Sequence, residues 1–148
     1  MHAAHLVVEG EKMSKSRGNF YTLRDLQERG FEPSPFRHLM LSVHYRQPLN
    51  FTFEALAQSQ AALARLDDLA FRLERETPPA GSDPDLRTAV EGARAGILES
   101  LDADLNTAGA FGQVFEMARR VNTALDAGRA GSADLALARE VLADFERI

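Results

Sequence analysis

A chain of 148 residues, 45% hydrophobic and 26% charged, is the length of one to one and a half domains and carries enough apolar mass for a real core. Its formal charge of −5 argues against sequence-independent nucleic-acid binding by the whole surface, and the lack of cysteine excludes a disulfide framework or a thiolate metal site. No apolar run approaches a bilayer span and no basic stretch precedes a long apolar core, so neither membrane insertion nor a signal peptide is read and a cytoplasmic protein is expected.

The run "HLVVEG" is short, β-branched and closed by Gly10, the pattern of one strand entering a loop. After a Ser, Gly and Asn-rich stretch, Thr22 caps a short helix through "LRDLQER" that Gly30 stops. Ser34 and Pro35 start a second helix, Pro35 standing at its first position, and "FRHLMLSVHY" repeats apolar residues at helical spacing until "RQPLN" breaks it. From Thr52 to Glu76, Leu56, Leu63, Leu66, Leu69 or Ala70, and Leu73 recur at helical steps and predict a long amphipathic helix. "TPPAGSDP", Thr77 to Pro84, reads as the clearest linker, where local opening is expected to be cheap. Asp83 and Pro84 open a third long helix to about Leu101, Asn106 or Thr107 opens a fourth that Gly128 ends, and Ser132 begins the last. The predicted fold is mainly α: a short strand and loop at the front, then a bundle of long helices.

Charge is divided unevenly. Residues 1 to 50 carry seven Lys and Arg against five Asp and Glu, while residues 51 to 148 carry ten against seventeen, so an anionic ligand should prefer the first third. The only two lysines, Lys12 and Lys15, both fall in "EKMSKSRGNF", and the other fifteen basic residues are arginine. Gly18 and Asn19 permit backbone turns that most residues resist, and Ser14 and Ser16 add hydroxyl donors, which together describe a mobile, donor-rich loop. A lysine ammonium is a compact charge on a flexible stem and can follow a phosphate whose charge shifts, whereas an arginine fork imposes a planar geometry. The plain alternative is a solvated surface turn.

"KMSKS", Lys12 to Ser16, is identical to the signature loop of class I aminoacyl-tRNA synthetases. Its surroundings, "GEKMSKSRGNFYTLRDL", "SVHYRQPLNFTFEAL" and "LDADLNTAGAFGQVFEMARRVN", resemble the cysteinyl-tRNA synthetase family over nearly the whole chain. The resemblance implies a cysteine-tRNA ligase that activates cysteine with ATP, Mg expected beside it, and transfers it to tRNA. It implies that Lys15 contacts the triphosphate, that Lys12 is a supporting cation and that Ser14 and Ser16 shape the loop. Carboxylate attack at the α-phosphorus moves charge onto the departing pyrophosphate, and a cation placed where charge develops lowers that barrier.

The resemblance also implies an order of parts: residues 1–50 as the end of a Rossmann-type catalytic domain with the loop and connective helices, and 51–148 as a helical, DALR-type domain on the tRNA side. The family's "HIGH" motif and its zinc site of Cys, His and Glu ligands are not in this sequence, and Met1-His2 falls where the family has the end of a Trp-Met-His run. The chain therefore reads as the back part of a synthetase, without zinc, inactive alone, weak for tRNA by itself and completed by a catalytic half. Two alternatives stand beside this reading: a related ATP-dependent ligase joining cysteine to an amino sugar, and a non-catalytic binding module derived from a synthetase.

Other residues carry less. His44, Tyr45 and Arg46 sit at a helix end, where cations suit the dipole whatever the function. His2 and His5 are too few for a metal site, and His38, where the family has an aromatic, reads as a partly exposed helix residue. "DADLNT", Asp102 to Thr107, fails as a calcium loop because its sixth position is Thr107 and its twelfth is Gln113. The Phe111, Val114, Phe115, Met117, Ala118 and Val121 face reads as core, and the acidic residues of the later helices as a solvated face.

Overall fold

The structure, a computed structural model, describes residues 6–147. In chain order it comprises β1 (Leu6–Val8), β2 (Glu11–Lys12), a 3-10 turn (Lys15–Arg17), α1 (Leu23–Glu28), α2 (Pro33–Leu41), β3 (Leu49–Phe51), α3 (Phe53–Arg75), α4 (Pro84–Asp102), α5 (Thr107–Asp126) and α6 (Ser132–Glu146). The fold is mainly helical, as its periodicity predicts, and it forms two compact units whose boundary falls inside α3, between Ala64 and Arg65. Among the described residues no helix is long and apolar enough to cross a membrane.

The first unit is built on a three-stranded sheet in the order β2-β1-β3. β1 and β2 form an antiparallel hairpin with Val8 opposite Glu11, joined by Glu9 and Gly10, both at positive φ (51° and 78°). Left-handed residues at both turn positions match the twist of a tight hairpin, and Gly10 takes its φ without a Cβ penalty. β3 lies parallel to β1, Val8 against Phe51. The sequence predicts only the first strand, because β2 and β3 are two and three residues long and show no alternation to read. Val8, Leu26, Leu39, Leu49, Phe51 and Leu56 form this unit's core. Tyr21 and Phe53 meet edge to face at 5.1 Å on its margin.

Thr22 caps α1 with a reciprocal box: its hydroxyl accepts from the Asp25 amide at 3.3 Å while Asp25 accepts from the Thr22 amide at 2.6 Å. Two expectations for α2 are corrected. The helix begins at Pro33 with Glu32 as its extended cap, not at Ser34 and Pro35. Its first turn holds both prolines because the first four helical N–H groups have no intrahelical acceptor to lose. His38 is buried, 8% exposed, rather than partly exposed: Pro35, His38 and Leu39 share the helix face turned to the core.

The second unit packs the later part of α3 with α4, α5 and α6 around Leu69, Leu73, Val90, Val114, Val121 and Val141. Each fully buried aliphatic side chain of this kind contributes about 1.5–3 kcal/mol by leaving water. Helix starts follow their caps: Asp83 accepts from the amides of Asp85 and Leu86, and Asn106 from that of Gly109. Val114, Met117, Ala118 and Val121 are buried as read, with Phe111 and Phe115 half-buried beside them.

The segment from Thr77 to Asp83 joins α3 to α4 and is bonded onto the start of α6. Ser132 donates its amide to the Pro79 carbonyl and Ala133 to that of Gly81. Asp134, 1% exposed, accepts from the Ser82 hydroxyl, the Asp83 amide at 2.8 Å and the Gly131 amide at 2.9 Å. A Cβ on Gly131 would overlap the Gly81 carbonyl, so glycine is the residue that admits this approach. Arg129 pairs with the second oxygen of Asp83 at 2.7 Å.

Candidate phosphate-binding loop

The loop begins from a fixed base. The Gly10 amide donates to Asn50 Oδ1 at 2.9 Å and the Glu9 amide to the Phe51 carbonyl at 2.9 Å, so the hairpin turn is tied to β3. Lys12 ends β2, and the next residue, Met13, packs half-buried against the first core. Ser14 is extended (φ −153°, ψ 135°) and precedes the 3-10 turn, which is closed by bonds from Arg17 N to the Ser14 carbonyl and from Gly18 N to the Lys15 carbonyl, both 3.2 Å. Gly18, at φ 70°, reverses the chain into Asn19.

Asn19 closes the arch with both ends of its amide. Its Oδ1 accepts from the Ser14 amide at 2.8 Å and its Nδ2 donates to the Lys12 carbonyl at 3.2 Å. Sequence reasoning assigned Asn19 only a permissive backbone role; what marked it was its place five residues after Ser14, close enough for an amide to return across the loop.

The structure places Lys12, Lys15 and Ser16 exposed and Ser14 half-buried on this arch. The two serine hydroxyls share a hydrogen bond of 2.8 Å. Lys15 Nζ stands 5.3 Å from the centre of the Phe20 ring, itself 42% exposed. The nearby carboxylate of Glu11 pairs with Arg17 at 3.0 Å, and among the described residues no ion pair engages either lysine. Two exposed ammonium groups whose adjacent acid is already taken, beside hydroxyl donors, suit a chain of phosphates. The residues present therefore fit ATP, as far as its phosphate end is concerned.

Other candidates resolve into local structure. His44 and Tyr45 stack at 4.8 Å, and Arg46 Nε donates to the Tyr45 hydroxyl at 2.9 Å. At the "DADLNT" junction, Asp104 and Leu105 both take positive φ (59° and 55°) before the Asn106 cap. On α5, hydrogen bonds from Arg119 and then Arg120 hold the Glu116 carboxyl down to about 2. Among the described residues no three His, Asp or Glu gather as a metal-holding group; His2 and His5 lie outside those residues.

Comparison with known proteins places this geometry. Residues 1–61, which include the sheet and its lysine arch, match the family described as tRNA synthetases class I (C) catalytic domain, and residues 97–148, which include the final helices, match the DALR domain. The chain is 43% identical to the cysteine–tRNA ligase of Solibacter usitatus over 148 residues, covering 100% of this chain and 32% of that protein. Identity to the ligase of Brachyspira hyodysenteriae is 41% over 139 residues (93% and 29%), and to that of Koribacter versatilis 41% over 148 residues (100% and 30%). The chain belongs to the cysteinyl-tRNA synthetase family, and it spans about a third of the length of the curated relatives it matches.

Proposed function

We propose that this chain is part of a cysteine–tRNA ligase, which activates cysteine with ATP and transfers it to tRNA, and that it supplies the loop that closes on the ATP phosphates. The observation that carries the reading is the pair of exposed lysines, free of ion pairs among the described residues, on an arch inside the span that matches a class I catalytic domain. Lys15 is the contact to the triphosphate and Lys12 the supporting cation, with Ser14 and Ser16 shaping the arch between them. ATP, with Mg, supplies a pyrophosphate leaving group for activation of the cysteine carboxylate. The chain's own contribution is to set positive charge where negative charge grows, and lysine stems are long enough to follow it.

Residues 1–50 form the end of the catalytic domain and 51–148 the helical part on the tRNA side, with 77–84 as the segment between its helices. The protein works in the cytoplasm. The curated relatives named above are all cysteine–tRNA ligases, which favours tRNA over an amino-sugar acceptor. In an intact ligase carrying this segment, Lys15→Ala is expected to slow single-turnover adenylate formation by about a hundredfold or more while cysteine affinity is unchanged, because the interaction is realised as pyrophosphate charge develops. Loss confined to cysteine affinity would refute this role.

A further inference from the structure

We infer that Asn19 is the positioning residue of the lysine arch, holding Lys12 to Gly18 in the shape that presents Lys15 to a phosphate; this rests on the phosphate-closing reading above. Lys12 is paired with Val7 at the end of β2 and Met13 packs on the first core, but from Ser14 onward the arch has few ties besides Asn19 and the Lys15–Phe20 contact among the described residues. Its 3-10 turn contributes two backbone bonds of 3.2 Å, the Ser14–Ser16 contact lies wholly within it, and the Glu11–Arg17 pair is about three-fifths exposed on both sides. Such an exposed pair restrains little. Among the described residues, Asn19 is the side chain that bonds to backbone on both sides of Met13, through the Lys12 carbonyl and the Ser14 amide.

These two bonds act on the backbone that precedes Lys15. The Ser14 amide is fixed by Asn19 Oδ1, and the Ser14 carbonyl starts the turn by accepting from Arg17 N. Releasing the amide frees the extended Ser14 residue to rotate, and every later Cα of the arch moves with it. The lysine remains charged and exposed after that release, but its stem starts from a distribution of positions. Part of the binding free energy is then spent on ordering the arch, so affinity for phosphate falls without loss of any charge.

The test uses the chain as it stands. Amide hydrogen exchange at Ser14 is expected to rise about tenfold in Asn19→Ala, the cost of one released hydrogen bond. Asn19→Asp retains an acceptor for the Ser14 amide and is expected to keep most of the protection. Amides of β1 and α1 serve as the control for folding and should be unchanged in both variants. Inorganic pyrophosphate is then titrated at low salt, with affinity read from its own phosphorus resonance in every variant and the Lys15 side-chain resonances followed wherever that lysine is present. The wild type should respond, Lys15→Ala should lose most of the affinity, and Asn19→Ala should lose about three- to tenfold. Equal Ser14 exchange in wild type and Asn19→Ala would overturn the clip. Equal pyrophosphate affinity in those two, with a clear Lys15 response, would overturn the positioning role and leave the phosphate reading standing. A wild-type Lys15 that ignores pyrophosphate would strike the phosphate reading itself, and the positioning role would fall with it.

Discussion

His38 illustrates what a single residue position can hide. Burial lowers its pKa from the ordinary 6.5, since a charged imidazole loses hydration on that face of α2. The folded pKa therefore lies below the unfolded one, and the unfolded chain binds the proton more readily. The stability that depends on His38 staying neutral is present above pH 6.5, declines as pH falls through that value, and stops declining only below the folded pKa. The slope can reach no more than about 1.4 kcal/mol per pH unit for one proton. His38→Phe is expected to flatten that dependence, as read by amide exchange in β1 and α1 between pH 7.5 and 5; an unchanged slope would show that another group carries it. Residue type and spacing marked Lys12, Lys15, Ser14 and Ser16 as a donor-rich loop with a solvated turn as its plain alternative, and only the resemblance of "KMSKS" to a family signature pointed to phosphate. The sequence left His38 and Asn19 misread for one reason: the roles of both depend on what stands opposite. For His38 the clue was present in the spacing Pro35, His38, Leu39, yet the type of residue argued for exposure.

At the level of elements, the long helices were legible because caps and periodicity agree: Thr22, Asp83 and Asn106 each accept the amides that a cap should. The short strands were not, since their existence comes from pairing with β1 rather than from local pattern. Composition also made Thr77 to Pro84 read as a segment that opens cheaply. In the structure it is bonded to the start of α6, and the buried Asp134 carboxylate gathers three donors there. Asp134→Ala would leave the Asp83 and Gly131 amides without their acceptor and is expected to cost about 2–4 kcal/mol in unfolding free energy. Limited proteolysis should find residues 77–84 resistant in the wild type and make them the first site of cleavage in Asp134→Ala. First cuts there in both proteins alike would mean that the bonded segment opens regardless.

For the whole molecule, the two units differ in charge as they differ in construction. Residues 1–64 carry seven basic against six acidic side chains, and residues 65–148 carry ten basic against sixteen acidic. We expect the chain alone to show no cysteine-dependent ATP–pyrophosphate exchange and no stoichiometric zinc, because alignment of cysteine, ATP and the lysine arch in one site is what converts a cation into catalysis. Its affinity for tRNA should be weak and fall steeply with salt. Adding the remainder of a related ligase's catalytic domain in trans should restore exchange. Exchange or bound zinc with the chain alone would contradict this.

The Asp134 contact also bears on the order of events during folding. It joins residues 51 apart in sequence to Asp83 and 52 apart to Ser82, so a chain end must be carried back across α4 and α5 before either bond can form. Closing so long a loop is an entropic cost that local helix formation does not share. The contact should accordingly be absent from the transition state. Weakening it would then leave the refolding rate almost unchanged and shorten the lifetime of the native state, making this carboxylate a kinetic lock on the second unit.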